Sequence, residues 1–327
     1  MTWLVLCYSL LSTPPDAARA ADDRPAVIVV VGAEGEPEYG RDFAKWADRL
    51  GTAAASASAE FIAVGRDSPD AAVSDKQRLK HLLDGELQKG PPTRPLWLVF
   101  IGHGTFDGKE AKFNLRGPDL SDAELGEWLK GCKRPLAVIN CASASAPFLA
   151  RLSGPNRVVI SATRSGSENN FARFGDYFSA ALADPAADLD KDGQTSLLEA
   201  FLAASHRVEE WYKQEGRLAT EHALLDDNGD KLGIPANWFQ GVRATRAARD
   251  GAPLDGPRAS QWHLLRSPAE QAMPAEVRAR RDELELKIEA LRAKKASMPE
   301  AEYYQQLEAL LLDLAHVYEQ LGPAASQ

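Results

Sequence analysis

Four short apolar runs constrain the fold most strongly: Ala26 to Val31, Leu96 to Ile101, Leu136 to Ile139 and Arg157 to Ala162. Each has the length and the β-branched or aromatic content of a buried strand. Between them lie segments with helical spacing. Arg41 to Leu50 carries Phe43, Ala44, Trp46, Ala47 and Leu50 on one face. A further strand is expected over Glu60 to Val64, then a helix over Ser74 to Gln88 that stops at Gly90-Pro91-Pro92. A short strand pair follows the Leu96 run up to Leu120. Ser121-Asp122-Ala123-Glu124 is a capping-box start for a helix ending near Lys130, and another short helix is expected at Ala146 to Leu152. Strand alternating with helix implies an α/β fold whose mostly parallel sheet is covered on both faces.

At 327 residues, 44% of them hydrophobic, the chain can bury a sizeable core. Its net charge of -9 argues against a nucleic-acid partner, which requires a basic face. The apolar stretch Trp3 to Leu11, followed by Ala18-Arg19-Ala20, reads as a signal peptide over residues 1–20, so the expectation is export after cleavage near Ala20. A mis-assigned start would leave the chain cytoplasmic. The stretch is too short to span a bilayer, and no membrane span is expected in the mature chain. Of three cysteines, Cys7 leaves with the leader. Cys132 reads as a turn residue, and a full strand separates it from Cys141, too far for a disulfide.

The reactive residues stand at strand ends. The Leu96 run leads into Gly102-His103-Gly104 and the Leu136 run into Asn140-Cys141-Ala142-Ser143. In an open parallel sheet, chemistry gathers at the carboxyl ends of strands. A thiol is a nucleophile only as thiolate, and an imidazole can take its proton. Cys141 is therefore the candidate nucleophile and His103 the acid/base, with the backbone N–H groups of Gly104 and Cys141 as oxyanion donors. A serine hydrolase would need a G-x-S-x-G elbow, which the sequence lacks. Glu168, beyond the Arg157–Ala162 strand, reads as a solvated loop acid or the acidic lining of a pocket.

The apolar block before His-Gly, the second block before Cys141 and the α/β pattern around them resemble the caspase/legumain group of cysteine peptidases, clan CD, nearest its legumain-like branch. The resemblance covers about 25–233. It implies a caspase-like three-layer sandwich, a His103–Cys141 dyad and a peptide or protein substrate. Legumains carry an acidic residue and Ala before the Cys and a Gly-Ser turn after it. Here Asn140-Cys141-Ala142-Ser143-Ala144-Ser145 stands instead.

A second motif is independent of the dyad. Asp188 to Glu199 fits the twelve-residue EF-hand calcium loop, with Asp188, Asp190 and Asp192 as carboxylate ligands and Gly193 at the sharp turn. Gln194 offers its carbonyl, Ser196 reaches the ion directly or through water, and Glu199 closes the site. The expected cofactor is Ca2+. Apolar Phe174, Phe178, Ala181 and Leu182 precede the loop and Leu198, Phe201 and Leu202 follow it, giving an EF-hand-type helix-loop-helix. Asp226 to Lys231 imitates the opening of such a loop but has Lys231 where Gly is expected and no closing Glu, so it reads as a turn, with a partner calcium site as the alternative.

Residues 25–240 thus form the α/β domain, 241–268 a linker or wrapping segment, and 269–322 a C-terminal αα-hairpin. Val277, Leu284, Ile288 and Leu291 line its first helix, and Leu307, Leu310, Leu314, Val317 and Leu321 its second. The hairpin packs on the core or offers a surface for self-association. The expected function is a calcium-stabilised cysteine endopeptidase of caspase/legumain type; the alternative is a catalytically inactive caspase-like calcium-binding interaction module.

Overall fold

The structure, a computed structural model, describes residues 24–67, 72–89 and 94–320. The leader at 1–20, Cys7, the Gly90-Pro91-Pro92 stop and Leu321 lie outside them. In chain order the strands are β1 (Ala26–Val31), β2 (Glu60–Val64), β3 (Leu96–Ile101), β4 (Gly104–Phe106), β5 (Ala111–Phe113), β6 (Leu120–Ser121), β7 (Leu136–Asn140), β8 (Arg157–Ser161), β9 (Leu224–Asp226), β10 (Ile234–Pro235), β11 (Phe239–Gln240) and β12 (Arg243–Ala244). The helices are α1 (Pro37–Ser56), α2 (Asp75–Gln88), α3 (Asp122–Trp128), α4 (Ala146–Leu152), α5 (Phe174–Ala181), α6 (Leu197–Gln214), α7 (Pro268–Ala272), α8 (Ala275–Ala293) and α9 (Glu300–Glu319).

The central sheet runs β10-β9-β8-β7-β3-β1-β2. The five strands from β8 to β2 are parallel, while β9 and β10 extend the sheet antiparallel. Alternate residues of each parallel strand feed two cores. Val27, Val29, Trp97, Val99, Ala137 and Ile139 face α1, α5 and α6. Ile28, Val30, Leu98, Phe100 and Val138 face α2, α3 and α4. Because both faces are covered, β1 and β3 are apolar at every position, and the fold is an α/β sandwich of three layers with a mostly parallel sheet. Capping boxes at Ser74/Gln77 and Ser121/Glu124 start α2 and α3.

Several boundaries differ from the sequence reading. α1 begins at Pro37, which suits a first helical turn, and continues to Ser56 through a run of alanines. The expected strand pair after His103 is a three-stranded antiparallel ribbon, β4-β5-β6. β9 and β10 are too short to show a period, and the sequence pattern does not reveal them.

Segment 241–268 wraps the body rather than bridging open solvent. Ala244, Asp255, Ala259 and Leu264 are buried in it. α8 and α9 form the antiparallel hairpin, with Leu284, Ile288 and Leu291 inside. On α9 the expected seam is only half-buried at Leu307, Leu310 and Leu314, and the buried positions are Tyr303 and Val317. Among the described residues no helix is long and apolar enough to cross a membrane.

Candidate functional site

β3 and β7 are adjacent and parallel, with Val99 opposite Ile139 and Phe100 opposite Asn140. The pleat sends Ile101 and Cys141 to the α1 face. His103 leaves β3 on that face too, ringed by Tyr39 at 5.1 Å, Phe43 at 5.2 Å and Phe171 at 6.0 Å between ring centroids. Its Nε2–H donates to the Glu34 carbonyl at 3.1 Å.

Cys141 is 1% exposed. Its Cβ lies against Gly175 at the start of α5, and Trp46 in the middle of α1 packs on the same glycine. A Cβ added at Gly175 would stand 2.7 Å from Trp46 and 3.0 Å from Cys141 Cβ, so only glycine permits this approach. Burial, with the charge of Glu221 behind it, pushes the Cys141 thiol far above its ordinary value. Cys132 and Cys141 are free, and no hydrogen bond joins Cys141 Sγ to the His103 ring.

Neither of the two expected oxyanion donors is free. The Cys141 N–H donates to the Phe100 carbonyl at 2.9 Å, continuing the β3–β7 ladder by one residue. The Gly104 N–H donates to Ser143 Oγ at 3.1 Å, and that hydroxyl donates to the Gly104 carbonyl at 3.1 Å. A Cβ at Gly104 would fall 2.2 Å from the Ser143 carbonyl oxygen, so the His103 and Cys141 loops touch backbone to backbone. The rest of the Cys141 loop is equally tied. Ala144 takes a left-handed φ of 53° and donates to the Glu168 carbonyl at 2.8 Å, and Ser145 N–H donates to Thr163 Oγ1 at 2.8 Å.

Glu168 is not a solvated acid. Its carboxylate accepts from the Arg164 N–H at 2.9 Å and stands 2.6 Å from His222 Nδ1. Glu221, which the sequence reading missed, lies in a polar stretch without period. It is buried, accepts from the N–H groups of Arg173 and Phe174 at the head of α5, and desolvation pushes it up to about 7. A groove of about 850 Å³ opens beside it, lined by Ala162, Arg164, Phe174, His222 and Phe239.

The acidic loop connects α5 to α6. The carboxylate oxygens of Asp188, Asp190 and Asp192 lie within 4.8 Å of one another. Asp188 accepts from Lys191 N–H at 2.7 Å and Gly193 N–H at 3.1 Å, Asp190 from Asp192 N–H at 3.3 Å, and Asp192 from Gln194 N–H at 3.0 Å. Gly193 has φ 87°. Burial pushes Asp190 up, and the charges of Glu199, Asp192 and Asp188 add to it. Glu199 is 1% exposed and reaches back across the loop to the Leu189 N–H at 2.7 Å. The Gln194 side chain is used elsewhere, accepting from Ser267 N–H at 2.9 Å, so its backbone carbonyl is the oxygen left for an ion. Ser196 caps α6: its Oγ accepts from Glu199 N–H at 3.2 Å and donates to Glu199 Oε2 at 2.8 Å. The shorter acidic loop follows β9. Burial raises Asp226 there, with Asp230 adding to it, and pushes neighbouring Asp255 up to about 9, the charge of Asp227 contributing.

No protein-family model matches the chain, and no curated protein does. Among solved structures it is similar to the Drosophila initiator caspase Dronc, at 15% identity over 72% of this chain and 94% of that one, TM-score 0.45. It is also similar to caspase-1 from Spodoptera frugiperda, at 9% identity over 60% and 83%, TM-score 0.40. The Geobacter sulfurreducens protein GSU0716 matches at 12% identity over 62% and 93%, TM-score 0.39.

Proposed function

We propose that this chain is a calcium-stabilised binding module built on a caspase-like α/β sandwich. The convergence of Asp188, Asp190 and Asp192 in one loop between two helices carries this reading. The donor set is hard oxygen throughout, which suits calcium. Asp188, Asp190, Asp192, the Gln194 carbonyl and Glu199 would hold the ion, and its charge would offset the mutual repulsion of the carboxylates. The groove beside Glu221 offers a surface for a peptide or protein partner. A thiol that is 1% exposed, raised by burial and unlinked to the imidazole speaks against a working nucleophile.

Calcium should raise the unfolding temperature of the chelator-stripped protein. At a hundredfold excess over Kd the gain is about 2.7 kcal/mol, a rise of roughly 4 °C for a chain of this size. The double variant Asp188→Asn/Glu199→Gln should lose that shift. A wild type whose melting is unmoved by millimolar calcium, with no heat of binding, would sink the reading.

One observation favours the peptidase reading: Cys141 and His103 leave neighbouring strands on the same sheet face. Catalysis would then require the Cys141 loop to open. The expected outcome with a thiol-directed acylating probe is labelling of half-buried Cys132 in the native protein and of Cys141 only after unfolding, read by peptide mapping. Rapid native labelling of Cys141 that disappears in His103→Ala would reverse the order of the two readings.

A further inference from the structure

The loop that leaves β9 repeats the wiring of the first acidic loop. Asp226 accepts from Gly229 N–H at 2.9 Å and Lys231 N–H at 2.8 Å, Asn228 Oδ1 from Asp230 N–H at 2.8 Å, and Asp230 Oδ1 from Leu232 N–H at 2.8 Å. These are the same steps along the chain as those from Asp188, Asp190 and Asp192. The left-handed positions coincide as well: Lys191 at 64° and Gly193 at 87° match Gly229 at 82° and Lys231 at 72°. Lys231 therefore adopts the conformation for which the sequence pattern expects glycine.

Such wiring alone makes a turn. Asp230 goes beyond it. Its side chain is only 8% exposed, and its Oδ2 is buried and accepts no hydrogen bond. The nearest cation is Arg249 Nη2 at 4.0 Å, on a side chain that is 64% exposed. Oδ1 is held inside the loop by Leu232 N–H, the same bond that Asp192 Oδ1 accepts from Gln194 N–H in the first loop. A buried anionic oxygen without a donor is costly, and a bound cation is the usual remedy. The Asn228 amide is turned the same way. Its Nδ2 donates outward to the Pro253 carbonyl at 2.9 Å, which leaves Oδ1 facing inward.

We propose that the loop from Asp226 to Leu232 is a second calcium-type cation site, held by the side-chain oxygens of Asp226, Asn228 and Asp230. It does not depend on the first site. With two carboxylates and no closing Glu, its Kd belongs at the weak end, about 10⁻⁴–10⁻³ M.

The test is calorimetric titration of the full chain with calcium chloride after chelator treatment, using wild type, Asp188→Asn/Glu199→Gln and Asp230→Asn. The wild type should bind two ions. The double variant should keep the weak event, and Asp230→Asn should weaken that event at least tenfold while leaving the other. A single ion abolished by the double variant overturns this proposal and leaves the first site standing. A single ion kept by the double variant and lost in Asp230→Asn supports this proposal and overturns the first site. No binding overturns both, and an unchanged weak event in folded Asp230→Asn overturns the second site. Should Asp230→Asn fail to fold, Lys231→Gly replaces it: removing the strain at φ 72° should tighten the weak event a few-fold, and an unchanged affinity overturns the proposal.

Discussion

Glu221 is a residue whose surroundings reset its chemistry. Its carboxyl is buried at the head of α5, bonded to two backbone N–H groups and within reach of the Tyr212 hydroxyl, yet desolvation outweighs these bonds and raises it to about 7. A carboxyl raised in the folded state stabilises the fold fully below the unfolded value of 4.5, and that contribution disappears as pH climbs through 7. The loss is on the order of 3 kcal/mol. Urea unfolding at pH 4.5 and pH 8 should therefore show a steeper decline for wild type than for Glu221→Gln, which stays neutral at both. Parallel pH profiles would show that Glu221 is charged in the native state throughout. The same charge bears on Cys141, but its neutralisation at acid pH leaves the thiol buried beside Gly175.

At the scale of elements, the α5–loop–α6 unit combines two roles that the sequence pattern runs together. Ser196 stands at a ligand position of the calcium loop, but in the structure its hydroxyl forms a reciprocal capping box with Glu199 at the start of α6. Replacing it with Ala should cost about 1 kcal/mol by removing the cap, with or without calcium. Calcium affinity should stay within about twofold, since the cap and not the ion uses the hydroxyl. A tenfold loss of affinity in Ser196→Ala would show that the hydroxyl serves the ion instead. The far side of the loop is braced by the wrapping segment, where Leu197 N–H donates to the Trp262 carbonyl at 2.7 Å and Ser196 bridges to His263. This bracing ties loop order to the position of α7 through Ser267 and Gln194.

At the scale of the molecule, the hairpin differs from the body. β1, β3 and β7 are buried on both faces, whereas α9 leaves Tyr304, Leu311, Leu312 and Tyr318 exposed. A cavity of about 390 Å³ separates the hairpin from the wrapping segment, lined by Val242, Ala244, Leu254, Ile288, Leu311 and Leu314. Polar ties such as Gln261 to the Asp282 carbonyl at 2.9 Å and Gln261 to Glu285 at 3.1 Å connect the two. Elements with few buried apolar contacts open first. Native-state hydrogen exchange should find the amides of α8 and α9 opening at lower free energy than those of β3 and β7. Equal protection in both would make hairpin and body one cooperative unit.

The sequence by itself determined the layers. Runs such as Leu96–Ile101, apolar at every position, have only one stable placement, inside a parallel sheet covered on both faces, and capping boxes at Ser74 and Ser121 mark where helices begin whatever surrounds them. The spacing from Asp188 to Glu199 is likewise local, so the carboxylate cluster is legible before the fold. Burial and hydrogen-bond partnership were decided by the tertiary structure, because they depend on segments distant in the chain. Gly175 packs against Cys141, Ser143 takes the Gly104 N–H, His222 takes Glu168, and the turn at Lys231 adopts a backbone shape its residue type disfavours. Residue type states what a thiol, an imidazole or a carboxylate can do; desolvation by remote neighbours decides which of them does it.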